Sequence, residues 1–132
     1  MRLRAWSLAY IAGMAGALAS ALALWAAGHF SVLAKLHVAI APVLSLYWLC
    51  PRLIVGGLWG LQLLLPVARG PFWRGVVISL APTLYMLLWV FPFETRQGWL
   101  GIELGLLAPL VIWAGNLVWG WTAVLWSRTT GL

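Results

Sequence analysis

Long apolar runs alternate with short polar breaks along this chain, and the run lengths predict membrane-crossing helices. From Ala5 to about Ala27 no charge or proline interrupts the sequence. At 1.5 Å per residue, more than 20 such residues reach across a hydrocarbon core of about 30 Å. The Met-Arg-Leu-Arg start and the Ala19-Ser20-Ala21 triplet also suit a cleavable secretory signal, but the run exceeds the roughly 7–15 residues of a signal core. A second run is expected from Pro51, a residue suited to a first helical turn, to about Ala68. The Arg69-Gly-Pro-Phe-Trp-Arg74 turn leads into a third, from Gly75 to about Phe91. A polar loop from Pro92 to Gly98 precedes the fourth, from about Leu100 to Trp126. The expected fold is all-α: one integral membrane bundle over 1–132 with transmembrane helices near 5–27, 51–68, 75–91 and 100–126. Residues 29–50 are apolar but carry His29, Lys35, His37 and Pro42. They read as an interfacial or re-entrant segment on the outer face, since irregular backbone sits at membrane depth only where protein or a cavity buries it.

A fifth crossing through that segment is the competing count, and the excess of Lys and Arg on the cytoplasmic side arbitrates. With four crossings and both termini cytoplasmic, Arg2, Arg4, Arg69, Arg74 and Arg128 lie inside while Lys35, Arg52 and Arg96 lie outside, five against three. With five crossings the cations divide four to four, so four crossings are preferred. Tryptophans follow the same layout. Trp6, Trp73 and Trp126 fall at the inner ends and Trp25, Trp48, Trp89 and Trp99 at the outer ends, as interfacial belts require. Trp59 and Trp113 fall deep and need another explanation.

Composition agrees with the bilayer as solvent: 64% of residues are hydrophobic and 8% charged, against about 25% charged in soluble domains. Ten charged side chains leave little material for a water-facing domain. The net charge of +6 is spread singly along the chain, which argues against nucleic acid as a partner. Cys50 is the lone cysteine and has no internal disulfide partner.

Small residues recur at spacings of four: Ala12, Gly16 and Ser20; Gly13, Ala17 and Ala21; Gly56 and Gly60 beside Gly57; Gly101 and Gly105. Such spacing lets helix backbones approach closely. Gly16, Gly57, Gly60, Gly101, Gly105 and Asn116 are therefore the candidate helix-packing residues. Asn116 falls about 20° from Gly105 on a continuous helix, with Gln62 as a candidate hydrogen-bond partner. Ser79 and Thr83 can bond within their own helix or across.

Glu103 is the one acid inside an expected span, and intramembrane ionisable residues are functional candidates by default. It lies about one turn from Trp99, so an interfacial carboxylate paired with Arg52, Lys35 or Arg96 is the plainer reading. His29 and His37 are candidate ligands for a metal or pigment, although on one helix they would stand about 80° apart. Cys50-Pro51-Arg52 resembles the intramembrane Cys-Pro pairs of metal pumps but is explained by a proline opening a helix. No metal site and no cofactor is expected. There is no Asp, and no nucleophile with an orienting base can be assembled, so no enzyme is expected.

The stretch Pro51-Arg-Leu-Ile-Val-Gly-Gly-Leu-Trp-Gly-Leu-Gln-Leu-Leu-Leu-Pro66 resembles one in small uncharacterised bacterial multi-span membrane proteins. Arg74-Gly, Leu80-Ala-Pro, Phe91-Pro and Asn116-Leu-Val-Trp-Gly are similar too, so the resemblance covers roughly residues 37–126. It implies a multi-pass protein of the bacterial inner membrane and no particular activity. The expected function is that of a non-catalytic accessory or assembly subunit, or a small homo-oligomer, whose partners are the lipid bilayer and other membrane helices. The alternative is a transporter or channel subunit in which Glu103 is the coupling carboxylate, Gln62 and Asn116 line the path, and Pro82 and Pro109 break the helices.

Overall fold

The computed structural model describes residues 2–38, 45–65, 69–94, 96 and 98–131, all of whose regular elements are helical. Helix α1 (Arg2–His29) is the proline-free Ala/Leu run. A turn with Ser31 in left-handed backbone leads to the single-turn α2 (Val32–Lys35). Helix α3 (Leu46–Gly60) continues into a 3-10 turn, Leu61–Leu64. Helix α4 (Pro71–Tyr85) continues into a π-helical stretch, Met86–Glu94. A 3-10 segment, Trp99–Leu104, precedes α5 (Ala108–Thr129). Three helices, Leu3–His29, Pro71–Glu94 and Ala108–Thr129, are long and apolar enough to cross a membrane and point to a membrane protein.

Three boundaries differ from expectation. Helix α3 begins at Leu46 because Ser45, in extended backbone, accepts a hydrogen bond from the Trp48 amide at 3.2 Å, satisfying one free donor of the first turn. Pro51 therefore sits inside the helix and not at its start. Helix α4 starts four residues earlier than expected, with Pro71 in its first turn. Helix α5 starts at Ala108 and not near Leu100, because Leu100 (φ 62°), Gly101 (φ 71°) and Gly105 (φ 148°) leave helical backbone. Gly101 and Gly105 consequently share no helix face, with each other or with Asn116.

The helices pack antiparallel. Gly13 of α1 lies against Gly56, Gly57 and Gly60 of α3, and Gly60 against the Ala9 backbone. On its other side α1 meets α5, where Gly16 lies on the backbone of Trp119 and Gly115 lies beside Ser20. Gly75 of α4 touches Gly120 and Trp121 of α5. Both α1 and α5 thus have their chain-terminal ends at one end of the bundle, with Pro71 and Leu64. His29, Leu46, Glu94 and Ala108 mark the other, distal end. Around the bundle the order is α3, α1, α5, α4, and the remaining side is open, because α3 and α4 hardly approach along their backbones. The principal core, Ala9, Ala12, Ala17, Leu63, Ile78, Trp119, Ala123 and Val124, fills the half nearer the chain termini. Leu87, Phe91 and Ile112 form a second cluster nearer the distal end.

Candidate functional site

Proline sets up the polar ties that bound the open side. Pro82 lies inside α4 and has no N–H to give to the carbonyl of Ile78, four residues earlier. Gln62 supplies the missing donor from across the gap: its Nε2 donates to that carbonyl at 3.2 Å and to the Trp59 carbonyl at 3.1 Å. Nearer the termini, the Arg74 guanidinium donates to the carbonyl of Leu63, in the manner of a basic side chain closing a helix C-terminus. Toward the distal end, the rings of Trp59 and Tyr85 meet at 5.8 Å. Side-chain contacts thus bridge α3 and α4 among the described residues.

Between these ties and the distal end lies a cavity of about 350 Å³, within the usual range of roughly 300–1,000 Å³ for small-molecule sites. Its walls come from four sides: Ala17 and Ser20 of α1, Pro51 to Trp59 of α3, Pro82 to Glu94 of α4 and its π extension, and Asn116 and Trp119 of α5. The lining is mainly apolar, and π-helical turns frequently occur at functional sites.

The polar groups of this wall are few. Arg52, partly buried, holds its guanidinium carbon 4.7 Å from the centre of the Trp48 ring. Glu94, on the last π turn, lines the same cavity, yet no ion pair within 4.0 Å joins any described residues. The Asn116 amide donates to Thr83 Oγ1 at 2.9 Å, and Thr83 Oγ1 donates to the Ser79 carbonyl at 2.7 Å. Asn116 itself lines the cavity. Ser20, though buried, makes no side-chain hydrogen bond among the described residues and also lines the cavity.

The structure separates the candidate residues. Gly16, Gly57 and Gly60 pack within the bundle, against Trp119, Tyr10 and the Ala9–Gly13 backbone respectively. Gly101 lies against the Phe91 ring and Gly105 against the backbone of His37 and Val38, so both serve turns and not a helix stripe. Asn116 borders the cavity, but its partner is Thr83 and not Gln62. Gln62 is engaged by two carbonyls and is absent from the cavity lining. The Glu103 side chain lies outside the described residues. His29 ends α1 stacked on Trp25 at 5.1 Å, while His37 sits exposed in left-handed backbone. No group of three metal-ligating side chains forms among the described residues. Trp119, one of the buried residues, donates through Nε1 to the Gly13 carbonyl at 3.0 Å. The sequence singles out Arg52 only as a partner for Glu103 and Ser20 only as a member of a small-residue stripe, and it does not single out Glu94. An arginine seven residues into a helix capped by Ser45 is the signal that marks the first of them.

Comparison with protein-family models, curated proteins and solved structures finds no match for this chain.

Proposed function

We propose that this chain is a non-catalytic integral membrane protein of four crossings that serves as an accessory or assembly subunit beside other membrane helices. Helix α3 and its 3-10 turn supply the fourth crossing: 15 residues at 1.5 Å and four at about 2.0 Å span about 30 Å, matching the hydrocarbon thickness. The termini face the cytoplasm, because Arg2, Arg4, Arg69, Arg74 and Arg128 gather at their end. Lys35, Arg52 and Arg96 stand at the other end together with both acids. The membrane is the inner membrane of a bacterium, in keeping with the resemblance of the Pro51–Pro66 stretch.

The observation that carries this reading is what the polar side chains inside the bundle do. Gln62, Arg74, Asn116, Trp119, Tyr10 and Trp121 all tie one helix to another. Together with the glycine contacts they build a fixed unit, and one strip of small residues on α1, Ala15, Ala19 and Ala23, remains wholly or partly exposed. A four-residue spacing of small side chains on a lipid-facing surface admits a second helix at close range. The test is purification in mild detergent followed by native mass spectrometry of the intact particle. A fixed stoichiometry with other membrane chains, or with copies of itself, is expected, and Ala19→Leu should disperse it. A particle that is monomeric and alone under all mild conditions overturns the reading.

A further inference from the structure

The cavity on the open side of the bundle has an occupant that can be described by its chemistry. Its wall carries one guanidinium, Arg52, and one carboxylate, Glu94, and the two do not pair. Ser20 and Asn116 line it as well, and one N–H of the Asn116 amide is engaged by Thr83. The rest is apolar and aromatic, with Trp59, Tyr85, Met86 and Val90 forming the flanks. Because α3 and α4 hardly touch along their backbones, this cavity opens sideways, where a bilayer would lie.

From this arrangement we infer that the slot between α3 and α4 binds a single zwitterionic phospholipid of the surrounding bilayer, one whose head joins a phosphate to a primary ammonium. The inference rests on the membrane-spanning reading given above. Arg52 meets the phosphate, since a guanidinium presents paired donors matched to phosphate oxygens. Glu94 accepts from the ammonium, which carries N–H donors that a quaternary ammonium lacks. One acyl chain lies along Trp59, Tyr85, Met86 and Val90. A wall with one charge of each sign selects a head of the same kind, because a purely anionic lipid leaves Glu94 facing a like charge while a neutral one gives neither charge a partner.

The test uses the full chain reconstituted into lipid nanodiscs containing phosphatidylethanolamine, phosphatidylglycerol and phosphatidylcholine with identical acyl chains, followed by native mass spectrometry of the released protein. One phosphatidylethanolamine should be retained per chain, at least about tenfold in preference to either competitor, a difference of the size that one charge-assisted contact provides. Arg52→Gln and, independently, Glu94→Gln should each erase that preference. Glu94 is exposed at the helix end, so its variant retains the fold even if the Arg52 variant does not. Equal retention of the three lipids, preference for phosphatidylglycerol or phosphatidylcholine, or unchanged preference in the Glu94→Gln protein overturns the inference. Failure of the chain to enter nanodiscs at all overturns the membrane-spanning reading instead, so the two failures are distinguishable.

Discussion

Gln62 completes what Pro82 leaves undone. The carbonyl of Ile78 lies four residues before Pro82 and has no helical donor, and the Gln62 amide reaches it at 3.2 Å from the neighbouring helix. The tie works because an unpaired carbonyl has no water to turn to in an apolar setting. Gln62→Leu should destabilise the bundle by about 0.6–2 kcal/mol, the range for hydrogen bonds between membrane helices. In a Pro82→Ala background the new N–H satisfies Ile78 internally, and the same Gln62→Leu change should then cost distinctly less. A double-mutant cycle by denaturation in mixed micelles measures the difference. Equal costs in the two backgrounds would show that the amide acts independently of the proline.

Glycine at position 60 is a matter of space. A Cβ there would stand 2.6 Å from the Ala9 carbonyl oxygen and 2.6 Å from Gly13 Cα, both backbone atoms, which yield only if α1 and α3 separate. Gly60→Ala should cost about 1–3 kcal/mol, as overpacking of a tight contact does. Gly115 is the contrast: its nearest neighbour is Ser20 Oγ at 3.5 Å, ordinary contact distance, and helical alanine is favoured over glycine. Gly115→Ala should be neutral or stabilising in the same assay.

The Ser45 cap is tested by its loss. Its Oγ holds the Trp48 amide at 3.2 Å, and replacing a capping serine by alanine typically costs about 1 kcal/mol. Ser45→Ala should fray the first turn of α3 and speed amide exchange at Trp48 and Leu49 while leaving α4 and α5 unchanged. Ser45→Asp, which retains an acceptor and adds a charge favourable to a helix N-terminus, should restore protection.

These residues also show which features the sequence carries on its face. Helix α1 was legible because an uninterrupted proline-free apolar run has few other structures open to it. The start of α3 differs from the sequence expectation because Pro51 suits a first turn as well as Ser45, six residues earlier, suits an N-cap. The start of α5 differs from it for another reason. Gly101 and Gly105 have the spacing of a packing stripe, and nothing in their identity distinguishes that role from left-handed backbone, which Leu100 also adopts. Gly13, Gly16, Gly57 and Gly60, by contrast, lie against neighbouring helices within regular helical backbone. The cavity was not legible at all, because Arg52 and Glu94 are far apart in sequence and share a wall only through the gap between α3 and α4.

The proposed orientation rests on charge and can be tested with single cysteines. The chain-terminal end holds Arg4, Arg69, Arg74 and Arg128 without an acid, while Arg96 and Glu94 stand at the other end. On the proposed topology the basic end stays in the cytoplasm, which sets the labelling expected of each loop. Cys50 is the lone cysteine and is exposed, so Cys50→Ser provides a thiol-free background. In that background Arg96→Cys should react with a membrane-impermeant maleimide applied to intact cells. Thr130→Cys should react only after the membrane is inverted or permeabilised. An odd number of crossings would put position 130 and the amino-terminal end on opposite sides, so Leu3→Cys, at an exposed position ahead of the apolar run, completes the set: it should behave as Thr130→Cys does. Labelling of position 130 on intact cells while position 3 stays protected would reject the four-crossing topology, and labelling of both would invert it.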